Sequence, residues 1–285
     1  MRLLLLVAAT ASAVVVAPPD DSLVIAGRAF RSRLLVGTGK YRSQNEMVAS
    51  VEASGADIVT VAVRRVEKPT ENMLADRIDW SRVWMLPNTA GCVTAADAVR
   101  VAHIGRGLAA KLGQTDNNFV KLEVIPDPKY LLPDPLGTLA AAKQLVEDGF
   151  AVLPYCTADP VLCRHLEDVG CATVMPLGSP IGSGQGIDAA ASIRIICEQA
   201  TVPVVVDAGL RTPADAARAI ELGADAVLAN SAIARAADPP NMARAFKLAV
   251  EAARLGARST FMPVSDRAVA SSPMDGLPLD YSYKG

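Results

Sequence analysis

A chain of 285 residues, 51% hydrophobic and 20% charged, can bury a full core and is too apolar to remain a disordered coil. With 28 basic against 30 acidic residues the net charge is -2, which excludes a broad nucleic-acid-binding face or attraction to anionic membranes; any phosphate contact is local. The five cysteines stand singly at 92, 156, 163, 171 and 197 without a C-x-x-C pair, and read as small core residues rather than a metal site or disulfide frame. Only His103 and His165 are available as histidines, both in helix-like segments, so histidine-dependent triads and most zinc sites lose support.

In residues 1–20, Arg2 precedes an apolar run closed by Ala17-Pro18-Pro19, the pattern of a targeting leader too short for a comfortable membrane span. Ala11-Ser12-Ala13 with Ala17-Pro18 also looks like the import boundary of an algal plastid. The lone thiols favour organelle import, hence a plastid stroma, over secretion; without a genuine leader the expectation is cytoplasm.

From residue 21 to 258 short apolar runs alternate with helix-like segments. Eight runs fall at 33–36, 57–63, 83–86, 119–124, 151–153, 172–175, 202–206 and 226–228, spaced as strand plus crossover helix. Between them 43–54, 95–112, 135–147, 160–169, 187–199 and 213–222 have helical spacing. Thr94, Asp159-Pro160 and Thr212-Pro213 are entrance caps, and Gly55, Gly149, Gly170 and Gly223 mark exits. Eight such units predict an α/β chain forming a single (β/α)8 TIM barrel. A doubly wound sheet is the alternative, weakened because no G-x-G-x-x-G follows the first run. The Ser/Pro-rich tail 259–285 has no periodicity and is expected to wrap the surface or stay mobile.

The run 118–125 carries two charges inside an otherwise buried pattern. Lys121 and Glu123 share a strand face, roughly 6.6 Å apart along the axis. Charges there are costly unless they pair or work, so the readings are an exposed edge strand, an internal ion pair, or chemistry. In a barrel, Lys121 on the fourth strand projects inward, and partial desolvation would lower its pKa toward a neutral amine able to attack a ketone. Glu123 and Asp207, the latter ending the seventh strand, are the candidate proton carriers. Glycine-rich 178–186, Ala208-Gly209 and Asn230-Ser231 fall in the loops where such barrels hold phosphate, the last two expected to place helix N-termini beside it.

Leu34 to Tyr41, Val61 to Arg65, Leu86 to Gly91, Val120 to Val124, Leu131 to Asp134, Val174 to Gly186, Val204 to Gly209 and Asn230 to Ile233 together closely resemble thiazole synthase of thiamine biosynthesis, over about 23–273. The resemblance implies a (β/α)8 enzyme without metal or organic cofactor, in which Lys121 forms a Schiff base with 1-deoxy-D-xylulose 5-phosphate. It implies substrate contacts at Gly182, Ala208, Gly209, Asn230 and Ser231, with Glu123 and Asp207 as acid/base carboxylates. Its implied partners are a ubiquitin-like sulfur-carrier protein bearing a C-terminal thiocarboxylate and the enzyme that forms dehydroglycine, in a homotetramer. Leu210-Arg211 departs from the family, which usually has a second glycine there; the arginine would crowd the loop or add a charge-assisted contact. Two other functions fit the residues: a class I aldolase using the same lysine, and a non-catalytic phosphate-binding barrel.

Overall fold

The computed structural model describes residues 21–66, 77–269 and 271; the leader-like stretch and most of the tail lie outside the described residues. Eight parallel strands form the predicted TIM barrel: β3 (Leu34–Gly37), β4 (Ile58–Ala62), β5 (Trp84–Asn88), β6 (Phe119–Leu122), β7 (Ala151–Cys156), β8 (Met175–Pro176), β9 (Val205–Asp207) and β10 (Ala226–Ala229). The hydrogen-bonded order runs β8-β7-β6-β5-β4-β3-β10-β9. Single parallel bridges, Val174 with Val204 and Leu177 with Asp207, join β8 to β9 and close the ring. β6 is therefore an interior strand, paired with β5 at Asn88–Lys121 and with β7 along its length, which removes the edge-strand reading.

Around the barrel lie α1 (Gln44–Ser54), the short α2 (Val63–Val66), α3 (Ala95–Lys111), α4 (Pro135–Glu147), α5 (Pro160–Asp168), α6 (Ala190–Gln199), α7 (Pro213–Glu221), the single turn α8 (Ser231–Ala234) and α9 (Pro239–Arg258). Their entrances are chemical: Thr94 accepts from Asp97 N–H, Asp159 from Val161 N–H, and Thr212 forms a reciprocal capping box with Asp215. Gly55, Gly149, Gly170 and Gly223 take positive φ at the exits, where a Cβ would be strained. Helix α9, not among the segments expected from sequence, packs against α1 and α7 through Phe246 and Val250. Helix α6 starts at Ala190 rather than 187, because 177–189 is committed to a loop on the cavity.

One element was not anticipated. β1 (Leu23–Ile25) and β2 (Arg28–Phe30) form an antiparallel hairpin turning at Ala26-Gly27, both at positive φ. Leu23, Ile25 and Phe30 join the first residues of the barrel strands, among them Leu35, Ile58, Trp84 and Phe119, in one cluster. The hairpin thus closes the N-terminal mouth. Phe30 and Phe119 meet edge to face at 6.1 Å. Ahead of it Asp21 binds Arg254, which holds its carboxyl down to about 2, and also pairs with Arg33, tying the chain to α9.

Truncating the plug should cost stability without touching chemistry at the other end. Phe30→Ala is expected to lower unfolding free energy by about 3 kcal/mol in denaturant titration, with KM unchanged; a stability loss under ~0.5 kcal/mol would mean that the hairpin is not part of the core.

Candidate active site

The C-terminal ends of the strands surround a cavity of about 840 Å³. All eight residues singled out from sequence line it: Lys121, Glu123, Asp207, Gly182, Ala208, Gly209, Asn230 and Ser231. Lys121 comes from β6, Glu123 from the residue just past that strand, and Asp207 from the end of β9, across the barrel. Lys121 Nζ lies 3.1 Å from Glu123 Oε1 and 2.5 Å from Asp207 Oδ2, with the three side chains 6%, 6% and 5% exposed. The internal ion pair and the inward-facing lysine are therefore the same arrangement.

This overturns the expected lowering of the lysine pKa. Burial does push the ammonium down, but the Asp207 and Glu123 carboxylates outweigh it and hold Lys121 above the ordinary lysine range. Burial pushes the Asp207 carboxyl up, against the pull of Lys121. Asp207 Oδ2 sits close to Nζ but outside hydrogen-bonding angles, so it has no aligned donor among the described residues. The Tyr155 ring faces Nζ at 5.5 Å, and burial, with the two nearby carboxylates, raises its phenol.

Glu123 is fixed from the adjoining strand end. Asn88 Nδ2 donates to Glu123 Oε1 at 2.9 Å, while the Thr89 hydroxyl donates to Glu123 O and accepts from Glu123 N–H. In the sequence Asn88 and Thr89 stand out only as part of the Leu86 to Gly91 stretch of the resemblance. The signal was there, a polar pair directly following apolar Trp84-Met85-Leu86-Pro87.

The glycine loop after β8 is stitched to the loop after β9. Gly178 N–H donates to Asp207 O, and Gly186 N–H donates to Gly209 O, both at 2.9 Å. Ala208 has φ of 65°, costly for a residue with a Cβ, and Gly209 has φ of 74° where a Cβ would collide with the hydroxyl and backbone of Ser179. Gly182 faces Ser231, since a Cβ on it would stand 4.0 Å from Ser231 Oγ. Asn230, its amide nitrogen turned toward the loop after β3, donates to Gly39 O at 2.9 Å and Gly37 O at 3.3 Å. Three loops thus converge on the cavity wall.

The helix ends contribute less than expected. The N-terminus of α7 is closed by its own Thr212 and Asp215, and Asp215 also accepts from Arg211 N–H. Of the two, α8, beginning at Ser231, presents first-turn amides beside the cavity. Arg211 does not crowd the loop: its side-chain carbons lie at ordinary contact, 3.7 to 3.8 Å, from where a Cβ on Gly184 would be, and it lines the cavity. The thiols are placed elsewhere. Cys156 and Cys163 touch at 3.8 Å within the core, and burial pushes Cys171 and Cys197 up to about 12.

Comparison with known proteins matches residues 24–273 to the family described as "Thiazole biosynthesis protein ThiG". A thiazole synthase of Synechococcus sp. is 64% identical over 257 residues, covering 90% of this chain and 93% of that protein. A bifunctional protein ThiO/ThiG of Trichormus variabilis is also 64% identical, over 90% of this chain and 39% of its own length. Among solved structures, the Amycolatopsis orientalis BexX/CysO complex superposes with a TM-score of 0.76 at 35% identity, covering 87% of this chain and 100% of that one. A 3-hexulose-6-phosphate synthase, at 17% identity and a TM-score of 0.53 over 76% of this chain and 99% of that one, shares the fold alone. With the family pattern spanning the barrel and the cavity that holds Lys121, this chain belongs to the thiazole synthase family of thiazole-forming enzymes.

Proposed function

We propose that this thiazole synthase builds the thiazole phosphate of thiamine from 1-deoxy-D-xylulose 5-phosphate, dehydroglycine and the sulfur of a carrier-protein thiocarboxylate, through an imine on Lys121. The observation that carries this reading is the placement of Lys121 Nζ between Glu123 and Asp207 inside a cavity walled by the glycine loop. The resting amine is an ammonium, so attack on the ketone begins with transfer of its proton to a carboxylate. Neutral Nζ then adds to the carbonyl carbon, the carbinolamine forms, and loss of water returns a cationic imine paired with the carboxylates. Glu123 and Asp207 are the two carboxylates within reach to carry protons across that step and the tautomerisation that follows. Addition of sulfur and condensation with dehydroglycine then close the ring.

The backbone amides of Gly182, Ala208, Gly209, Asn230 and Ser231 form the phosphate end of the site, with Arg211 beside them. A protein partner is supported by the BexX/CysO complex in which the relative was solved, and a second, cooperating enzyme by the bifunctional ThiO/ThiG protein; sulfur delivery and dehydroglycine supply are their proposed roles. A homotetramer working without metal or organic cofactor completes the reading. The pattern of residues 1–20 supports plastid import, with cytoplasm the alternative. No described helix is long and apolar enough to cross a membrane. An aldolase using the same lysine would also form an imine, so product formation that depends on the carrier thiocarboxylate is the deciding assay.

Borohydride reduction with the ketose phosphate should leave a mass adduct on Lys121 that Lys121→Ala lacks. That variant leaves two carboxylates buried without a cation and is expected to lose roughly 3–5 kcal/mol of stability. The loss should shrink on acidification, since Asp207, already pushed up by burial, can then take a proton. Turnover by the Ala variant would remove the imine mechanism. The raised lysine pKa has a second consequence: the neutral amine fraction grows steadily with pH, so the trapping rate should climb between about pH 7 and about pH 10; a plateau starting near neutrality contradicts it. Glu123→Gln and Asp207→Asn should each slow steady-state turnover by roughly 10²–10⁴-fold, and unchanged rates would assign both to structure.

A further inference from the structure

The two carboxylates beside Lys121 are held differently, and the difference starts at the end of β5. Asn88 is 8% exposed and gives one N–H to Glu123 Oε1, while its Oδ1 is buried with no hydrogen-bond partner among the described residues. The opposite amide orientation would set that oxygen against a carboxylate, so the donation fixes which way the side chain points. An unpartnered buried acceptor costs stability that an apolar residue of the same shape would not incur, so packing alone does not explain an asparagine here. With Thr89 holding the Glu123 backbone on both its N–H and its carbonyl, the acidic side chain has little freedom to leave Nζ. Asp207 is held through its backbone carbonyl, which accepts from Gly178 N–H, but no side chain among the described residues clamps its Oδ2. Its Oδ2 lies 2.5 Å from Nζ without an aligned donor.

We propose that Asn88 is a positioning residue: by donating to Glu123 it keeps that carboxylate as the standing counter-anion of the site and leaves Asp207 as the group that exchanges the proton with Lys121. The inference rests on the imine reading above. In the step concerned, the Lys121 ammonium gives one proton to Asp207, and the neutral amine bonds to the ketone carbon. A proton passes from nitrogen to the former carbonyl oxygen, the C–O bond breaks, and the leaving hydroxide takes the proton back from Asp207 as water. Lysine ammonium and ketone become cationic imine and water, and Glu123 is unchanged throughout. The groups facing Glu123 are Lys121 from β6, Asp207 from β9, the Tyr155 phenol from β7, and uncharged Asn88 and Thr89 at and just past the end of β5.

The test uses the full chain carrying Asn88→Leu, Asn88→Asp, Glu123→Gln or Asp207→Asn, with single-turnover cyanoborohydride trapping of the ketose phosphate and carbon-13 NMR titration of the carboxylates without substrate. Asn88→Leu sheds the unpartnered oxygen but also the charge-assisted donor to Glu123, so its Tm is expected to fall modestly while the chain still folds. The variant should trap about tenfold to a hundredfold more slowly, with the acid limb of its pH profile and the Glu123 carboxylate midpoint both moved to higher pH than in wild type. Asn88→Asp donates only when protonated, so its deficit relative to wild type should narrow on acidification. Asp207→Asn should slow trapping at least tenfold more than Glu123→Gln. A Leu variant with wild-type rate and an unmoved Glu123 midpoint, or equal losses in the two carboxylate variants, overturns the inference. If Asn88→Leu does not fold, the Asn88→Asp pH dependence decides, and a deficit independent of pH counts against it. Absence of any adduct in wild type would instead fell the imine reading, while the Glu123 midpoint still reports whether Asn88 acts on that carboxylate.

Discussion

The structure depends on one ammonium shared by two carboxylates, with each of the three side chains only 5–6% exposed. Desolvating such groups is expensive, and their mutual attraction offsets the cost only where the geometry is tight. Here Glu123, just past β6, and Asp207, from β9, which β7 and β8 separate from β6 around the ring, are brought within 3.1 Å and 2.5 Å of the Lys121 nitrogen. Formally the cluster carries one negative charge in excess, and so favours a cationic nitrogen at its centre. An imine that keeps its proton satisfies the same preference as the resting lysine. The site is thus compatible with both ends of the proposed step.

The anion-binding wall obeys a different constraint, close approach of backbone. Gly178 and Gly186 lend their amides to the neighbouring loop, Gly209 has no room for a side chain, and Ala208 tolerates a left-handed conformation beside the proposed proton carrier Asp207. Strain of this kind persists when surrounding bonds over-determine the backbone, as the stitching between the two loops does. The capping box of α7 shows how local chemistry redirects a general rule. A helix N-terminus near a cavity is a common anion site, but Asp215 has already taken the amides there.

Much of the barrel was legible because strand and helix leave different periods. Runs of β-branched residues, Asx or Thr entrances and glycine exits located the eight units, and an interior strand bearing Lys121 and Glu123 stood out because charge seldom occurs in such a pattern. The hairpin at 23–30 was not, since three-residue strands carry almost no period. Strand β8 shrank to Met175–Pro176 because the chain there leaves the sheet to form the cavity loop. The placement of the candidate residues around one cavity followed from strand order, but their electrostatics did not. Whether a buried lysine loses or keeps its proton depends on partners 86 residues away in sequence, as the number separating Lys121 from Asp207 shows, and no local pattern reports it. The part played by Asn88 was hidden for the same reason, being a cross-strand bond 35 residues long in sequence.

The hairpin at the barrel's base has a further implication. By stoppering that end with Leu23, Ile25 and Phe30, it leaves the catalytic rim as the doorway through which the described interior communicates with solvent. Reactant entry and the departure of water released by condensation then share one passage, so whatever occupies the rim governs traffic in both directions.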